Sequence, residues 1–346
     1  MLDLRQATRA AGREPLLSGV DLVCTRDTPT SVLGLSAASR EMLLKLLSGV
    51  ERLQSGEIRL NGRDITEAKR AKLRILKVGS GGAARSGQKV GKVIDASLAA
   101  RVGLSGKLAA AVGALDAEER VRLSIAKALQ EKPSLLLLDA PASGLLPAQR
   151  ARLAAALGDM IAGCGTIVVL AASGGDEAMG LGGATVVLGN GVVQQAGPVA
   201  EVRSQPANYA SALATAWPVL NTLAMTMDGG RGRLADGTSL SPPGGLVLPT
   251  AGACILAFRP DCSTMARETR GCIRFVVRAI GEEEVAGQMY KRLAFAGATW
   301  LSPLSATAPP PGAVLNLFVD RGKVLAFDKD GAAIPQAASS SGATGA

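Results

Sequence analysis

Histidine is absent from this chain of 346 residues, and no aromatic residue occurs before Tyr209. The first absence removes every mechanism that uses an imidazole as base, pH switch or metal ligand. The second means that the first 208 residues must build their core from Leu, Val, Ile and Ala. Cysteine is sparse: Cys24, Cys164, Cys254, Cys262 and Cys272 are odd in number and nowhere spaced as CxxC. That argues against a zinc site or a disulfide framework, and no metal is expected. No apolar run reaches the roughly 18–20 residues of a membrane span. The opening MLDLRQATRAAGREP mixes acids and bases before any apolar stretch, unlike a signal peptide. A soluble, intracellular protein is expected.

Hydrophobic residues make up 47% of the chain and charged residues 19%, which suffices for packed cores and is too apolar for disorder. The length favours two domains. A net charge of +9 raises the question of nucleic acid. The bases are scattered, densest at Lys69, Arg70, Lys72, Arg74 and Lys77, with no aromatic residue interleaved. A solvated basic face, or one near anionic lipid headgroups, is preferred, and no nucleic-acid partner is expected.

The aromatic break and the turn-rich SQPANYASALATAWP place a domain boundary near 205–220, giving domains 1–208 and 209–334 with a disordered tail at 335–346. The first domain alternates strand-like and helix-like runs, the pattern of an α/β fold. TSVLGL (30–35), SLLLLDA (134–140) and TIVVLAA (166–172) read as buried strands. REMLLKLLSGV (40–50) and PAQRARLAAALGDMIAG (147–163) read as helices, the latter with Pro147 at its start. In the second domain ACILAFRP, CIRFVVRAI, VLNLFVDRG and KVLAFDKDG are short strands between Gly, Pro and Asp turns, as in a small β-barrel or sandwich.

The strand–loop–helix VLGLSAASREMLLKLLSGV (32–50) resembles the phosphate-loop segment of ABC transporter ATPases. ERLQSGEIRLNGRDIT (51–66), LSIAKALQEKPSLLLLDAPASGL (123–145) and VVLGNGVVQQAGPVAEVRSQPAN (186–208) resemble later blocks of the same domain. The C-terminal strands resemble the regulatory β-domain of maltose- and glycerol-phosphate-type importer ATPases. The resemblance implies a P-loop NTPase fold followed by an OB-like, TOBE-type β-domain. It also implies ATP and Mg as ligands, a second ABC ATPase and membrane permeases as partners, and a cytoplasmic position peripheral to the inner face of the plasma membrane.

The residues that would carry ATP chemistry in the resemblance are changed. G-x-x-x-x-G-K-[ST] wraps phosphate in backbone N–H groups, with Lys as counter-charge and a hydroxyl on Mg. Here the run is Gly34, Leu35, Ser36, Ala37, Ala38, Ser39, Arg40, Glu41. Holding Ala37 or Ser39 at positive φ would cost roughly 1–2 kcal/mol. Glu41 brings a carboxylate beside phosphate, worth about 4 kcal/mol of repulsion per charge pair at about 4 Å and an effective dielectric of about 20. An ordinary strand–turn–helix connection fits these residues better than a phosphate cradle.

Elsewhere Ala11 stands at the position of the adenine-stacking aromatic, and Ser80 at that of the Q-loop glutamine. Leu115, Asp116, Ala117, Glu118 and Glu119 stand at the LSGGQ signature, where D-x-x-E reads as a helix cap. Asp139 persists on the Walker B strand, but Ala140 and Ala172 replace the expected base Glu and switch His. The D-loop equivalent is Ser143, Gly144, Leu145, Leu146. Without a general base, hydrolysis loses about 10²–10⁴ in rate, so no catalytic residue and no bound cofactor are expected in the isolated chain.

The helical subdomain is expected to be short, between Ala84 and Ala114, and GSGGAARSGQKVG (79–91) reads as a flexible loop rather than a phosphate loop. SGGDEAMGLGG (173–183) is another weak glycine-rich match. Three readings stand: a non-hydrolysing subunit beside a competent ATPase in an importer for a sugar, polyol or glycerol-phosphate-like solute; a regulatory or assembly protein outside transport; and a weak ATPase using Arg40, Glu41 and Asp139.

Overall fold

The computed structural model describes residues 1–12, 14–67, 73–80, 85–241, 246–266, 271–285, 288–304 and 309–336. Contacts divide the chain into two compact units, Met1–Gln205 and Pro206–Ala346. The division falls between Gln205 and Pro206, just before the first aromatic residue.

The first unit opens with β1 (Leu2–Ala11) and β2 (Glu14–Cys24), an antiparallel pair. Then come β3 (Thr30–Leu33), α1 (Ala37–Ser48), β4 (Ser55–Leu60), β5 (Arg63–Asp64) and β6 (Ile75–Gly79). Next are α2 (Ala96–Arg101), α3 (Ala117–Gln130), β7 (Leu135–Asp139), α4 (Pro147–Ile161), β8 (Ile167–Ala171) and α5 (Gly175–Leu181). β9 (Ala184–Gly189), β10 (Val192–Pro198) and α6 (Val199–Ser204) complete the unit. One sheet is antiparallel, in the order β2-β1-β4-β5; the other runs β10-β9-β3-β8-β7-β6, parallel except for the β10 edge.

Strands buried on both faces read as unbroken apolar runs, and Leu135, Leu136, Leu137 and Leu138 of β7 are all fully buried. The core joins the antiparallel sheet, α1 and the parallel sheet, with Leu43, Leu44, Leu46 and Leu47 of α1 inside it. Burying four leucines in five positions requires apolar contacts on more than one side of the helix. At about 25 cal/mol per Å² this aliphatic burial is the main stabilising term of the unit.

The helix predicted over 40–50 starts earlier, at Ala37, because Ser36 caps it. It stops at Gly49, whose φ of 76° suits a left-handed C-cap. The segment 85–91 corrects the expectation of a flexible loop. Val112 N–H donates to Gln88 O at 2.8 Å, Gly113 N–H to Ser86 O at 2.8 Å and Gly91 N–H to Leu108 O at 2.9 Å. Residues 86–91 therefore lie along 108–113, and Val90, Val93, Ile94, Ala99, Val102 and Leu104 are buried beneath. Glycine serves close approach here: a Cβ on Gly91 would meet Leu108 O at 3.1 Å, and one on Gly113 would meet Ser86 O at 3.2 Å. Residues 81–84 of the glycine-rich run, and Lys69, Arg70 and Lys72 of the basic patch, lie outside the described residues.

The second unit contains α7 (Tyr209–Ala214), β11 (Asn221–Asp228), β12 (Arg231–Arg233), β13 (Ser239–Leu240) and β14 (Ala251–Phe258). It continues with β15 (Ser263–Thr264), β16 (Cys272–Val285), β17 (Gln288–Phe295), β18 (Ala298–Pro303), β19 (Val314–Asp320) and β20 (Leu325–Phe327). They form two five-stranded antiparallel sheets, β13-β12-β11-β14-β20 and β15-β19-β16-β17-β18. Both sheets contribute to one core, in which Trp300 meets Phe258 and Phe275 edge-on at 5.0 and 5.1 Å. The buried Trp300 indole N–H donates to Thr222 O at 2.9 Å, as a buried indole requires. Gln336 lies within the tail expected from position 335 but is held in place: it exchanges hydrogen bonds with the Val247 backbone at 2.9 and 3.0 Å. Residues 337–346 lie outside the described residues.

Candidate functional site

The turn from β3 to α1 is made by Gly34, Leu35 and Ser36. Gly34 has φ of 74°, and a Cβ there would collide with Leu188 O on β9. Only glycine fits, and the reason is the neighbouring strand. Ser36 Oγ accepts Ser39 N–H at 3.1 Å, and Ser36 O accepts Arg40 N–H at 2.9 Å. Ala37 and Ser39 are thus helical and carry no positive-φ strain. Of the N-terminal N–H groups that helix geometry leaves open to a ligand, that of Ser39 is already taken by the Ser36 hydroxyl.

Arg40 and Glu41 face different partners. Arg40 Nε lies 3.4 Å from Asp139 Oδ1 at the end of β7, and Lys77 Nζ of β6 lies 3.3 Å from Asp139 Oδ2. Asp139 is therefore shared by two cations. Glu41 pairs with Lys45 one helical turn on, at 2.7 Å. The Lys45 hydrogen bond and charge hold the Glu41 carboxyl below its ordinary value, and Glu41 in turn raises Lys45. Ser80 is exposed just past Gly79, which pairs with Asp139 across the sheet.

Ala140 is buried with φ of 41°, and Ala172 is buried beside it on the chain leaving β8. Their N–H groups donate to Ala171 O and Val32 O, both at 3.0 Å. Neither methyl group can accept a proton. The chemistry-bearing residues that sequence reasoning missed lie just behind. Glu177 of α5, 1% exposed, accepts Ala142 N–H and Ser173 N–H, both at 2.6 Å. Burial raises its carboxyl above the ordinary value, opposed by those two N–H donors and by Arg150. Arg150 grips the buried Asp176 through Nε and Nη2, one edge of its guanidinium, and Nη2 also reaches Ser173 Oγ at 3.2 Å. The sequence sign was two acids inside a glycine-rich run that no partner in their own helix explains. The glycines serve packing: a Cβ on Gly180 would collide with Ala154 O of α4.

The signature-equivalent segment starts α3. Asp116 Oδ1 accepts Glu119 N–H at 2.9 Å, and Glu119 Oε2 accepts Asp116 N–H at 3.0 Å, a complete capping box. Leu115 is buried, and its carbonyl accepts Arg120 Nη1 at 2.6 Å. Glu118 is buried and bridged to Arg122, with Arg152 Nε at 3.7 Å. Ala117 is the first helical residue. Ser143 and Leu145 form tight turns onto Ala140 and Ala142, Gly144 has φ of 80°, and Leu146 is 67% exposed ahead of Pro147. Leu146 has no side-chain acceptor, so only the Gln149 half of a cap forms there, at 3.2 Å.

A cleft of about 290 Å³ beside the β3–α1 turn is lined by Pro15, Leu16, Gly34, Ser36, Leu188 and Asn190 among others. Ala11 is outside it, exposed at the end of β1. Among the described residues no group of three His, Cys, Asp or Glu side chains is arranged to hold a metal ion, and no helix is long and apolar enough to cross a membrane.

The ABC transporter family model matches residues 17–143. The chain is 31% identical over 228 residues to the Fe(3+) ions import ATP-binding protein FbpC of Streptomyces avermitilis, covering 60% of this chain and 65% of that one. It is 29% identical over 220 residues to the methionine import ATP-binding protein MetN of Rhizobium etli, covering 57% and 61%. With the sn-glycerol-3-phosphate import ATP-binding protein UgpC 2 of Agrobacterium fabrum it shares 27% over 237 residues, covering 64% of each. The matched region spans less than two thirds of each of these relatives. Among solved structures, cbiO1 of Clostridium perfringens, part of the cbiONQ transporter complex, superposes with a TM-score of 0.52 at 20% identity over 59% of this chain and 90% of that one. MJ1267, an ATP-binding cassette in its ADP conformation, gives 0.51 at 16% over 60% and 95%. Met1–Gln205 has the P-loop fold of the ABC ATPases, and a β-rich unit follows it.

Proposed function

We propose that the chain is an ATP-binding-cassette subunit of an importer that has kept the fold and lost hydrolysis. It serves as a scaffold beside a competent ATPase and membrane permeases, on the cytoplasmic face of the plasma membrane. The observation that carries this reading is the Arg40–Asp139–Lys77 ion-pair cluster at the end of β7. It fills the place where the resemblance puts Mg and phosphate with the protein's own charges. Three further features support it: the helical first turn at Ala37–Ser39, the Glu41 carboxylate and the Ala140 methyl. Mg–ATP does not fit these residues. A solute of the sugar, polyol or glycerol-phosphate class is favoured by the likeness of the second unit and by the glycerol-phosphate relative. The other relatives are named for iron and methionine.

A second reading, a regulatory or assembly protein outside transport, draws support from one specific observation. The α3 start is filled by Asp116, Glu118 and Glu119 as fully as the α1 turn is by its own bonds. A partner's nucleotide would meet carboxylates there. Purified protein titrated with Mg–ATP tests the proposal: no saturable binding below millimolar and no ATPase above background are expected. Sub-millimolar binding abolished by Arg40→Ala would overturn it in favour of a weak ATPase. Copurification separates the first two readings, since permeases and an intact ATPase belong only to the first.

A further inference from the structure

We infer that the outward face of β16 and β19 in the second unit is a docking surface for a protein segment in which carboxylates flank an apolar side chain. The register fixes that face. Along β16, Ile273, Phe275, Val277 and Ala279 belong to the core, so Arg274, Val276, Arg278 and Ile280 point away from it. Val314 of β19 pairs with Arg278, and Asn316 with Val276. Ile280 is the extra residue of a bulge opposite β17. Between Cα atoms, strand geometry sets Val314 about 5 Å from Arg278, Val276 and Ile280 about 7 Å from it, and Arg274 about 14 Å.

A sheet face that meets water is ordinarily polar. Here Val276 is 56% exposed, Ile280 40% and Val314 61%. The strand preference of branched residues accounts for one such side chain, not for three gathered around one cation. The cations are open as well. Arg278 Nη1 donates to Gly312 O at 3.4 Å, and among the described residues no carboxylate pairs with Arg274 or Arg278. Of the acids further along β16, Glu282 is bridged to Lys291 at 3.0 Å and Glu283 to Arg292 at 3.7 Å, which leaves Glu284.

The surface chemistry narrows the occupant. An arginine fork holds a carboxylate by two parallel bonds, and arginine is among the residues that dominate protein–protein binding. A second copy docked about a symmetry axis at Arg278 would set that cation against itself. Single-stranded nucleic acid needs exposed rings for stacking, and Phe318, the aromatic residue opposite Arg274, is buried. In an extended partner, alternate side chains share one face and four positions span about 14 Å. The fitting sequence is therefore acid-x-apolar-x-acid, with its acids over Arg274 and Arg278 and its apolar residue over Val276.

The test pans the full-length protein against a displayed library of random peptides, and enrichment of acid-x-apolar-x-acid is expected. Binding of the synthetic consensus peptide, followed by fluorescence anisotropy, should weaken with added salt. Arg278→Ala should weaken it at least about thirtyfold, and Arg278→Lys should recover only part, because an ammonium lacks the fork. Val276→Thr with Val314→Thr keeps the branched side chains and should weaken binding about tenfold. Arg233→Ala, on the other sheet, should change it less than about twofold, and all these variants should keep the melting temperature. No enrichment, a consensus without acids, or equal binding by Arg278→Ala overturns the inference. So does self-association that Arg278→Ala abolishes, or tighter binding of single-stranded RNA at the same salt.

Discussion

Two helix starts in the first unit, α1 at Ala37 and α3 at Ala117, stand where the resemblance expects a nucleotide to be held from either side, and they close themselves differently. α1 uses a neutral hydroxyl, Ser36, and has no acid in its first turn. α3 uses Asp116 with Glu118 and Glu119, three carboxylates at the positive end of its dipole. At α3 an incoming anion meets a first turn whose capped N–H group and neighbouring cations, Lys107, Arg122 and Arg152, are already taken by those carboxylates. At α1 it meets a turn of the wrong shape, with Arg40 drawn onto Asp139. The cap of α3 is made by charge and the cap of α1 by a neutral hydroxyl in front of the Arg40–Asp139–Lys77 cluster, and each makes its own mutational forecast.

The largest expected effect is at Glu118. Its carboxylate is buried between Arg122 and Arg152, so Glu118→Ala strands a part-buried guanidinium. A loss of about 3 kcal/mol is expected, read as a lower urea midpoint for the first unit. Glu118→Gln should recover part of it by retaining one acceptor. Next comes the cap itself. Asp116→Ala removes both the bond to Glu119 N–H and the charge at the helix end, costing about 1–2 kcal/mol. Ser36→Ala removes a neutral cap and should cost about 1 kcal/mol, with Ser36→Gly only a few tenths. Equal costs at the two caps, measured by denaturation at low and high salt, would erase the distinction. The Asp116 loss alone should shrink with salt.

The Asp116 box was legible in the sequence because it closes within one turn: donor and acceptor are three residues apart. The buried strands were legible too, since the Leu135–Leu138 run, bounded by Pro133 and Pro141, is too short for a helix and apolar on both faces. What the sequence hid is long-range. Arg40 reaches Asp139 across 99 positions, and Glu177 reaches the Ala142 N–H across 35. No periodicity encodes either contact, and both depend on which strands the parallel sheet sets side by side. The 85–114 lobe was hidden for another reason. Glycine reads as freedom in a sequence, yet Gly91 and Gly113 let backbones touch at Leu108 O and Ser86 O. Composition reports the residue, and only packing tells whether its missing side chain makes room for motion or for contact.

The smallest effects are those of pH, and they carry opposite signs in two glutamates, Glu177 of α5 and Glu41 of α1. Glu177 has its carboxyl raised by burial, so the folded state binds its proton more tightly than the unfolded chain does. Its contribution to stability is greatest below the ordinary glutamate value and declines as pH rises through the folded value. Glu177→Gln should flatten that decline in urea midpoints measured across the acid range. Glu41 is the reverse: Lys45 lowers its carboxyl, so its contribution is present above the ordinary value and fades as pH falls through the lowered one. The pair is exposed, and screening leaves it little weight. Lys45→Met should therefore remove a slight acid dependence without measurably changing stability at neutral pH. A larger neutral-pH loss would mean that Lys45 supports Arg40 and Asp139 as well as Glu41. The first turn of α1 would then depend on charge as the cap of α3 does, and the contrast between the two helix starts would fail.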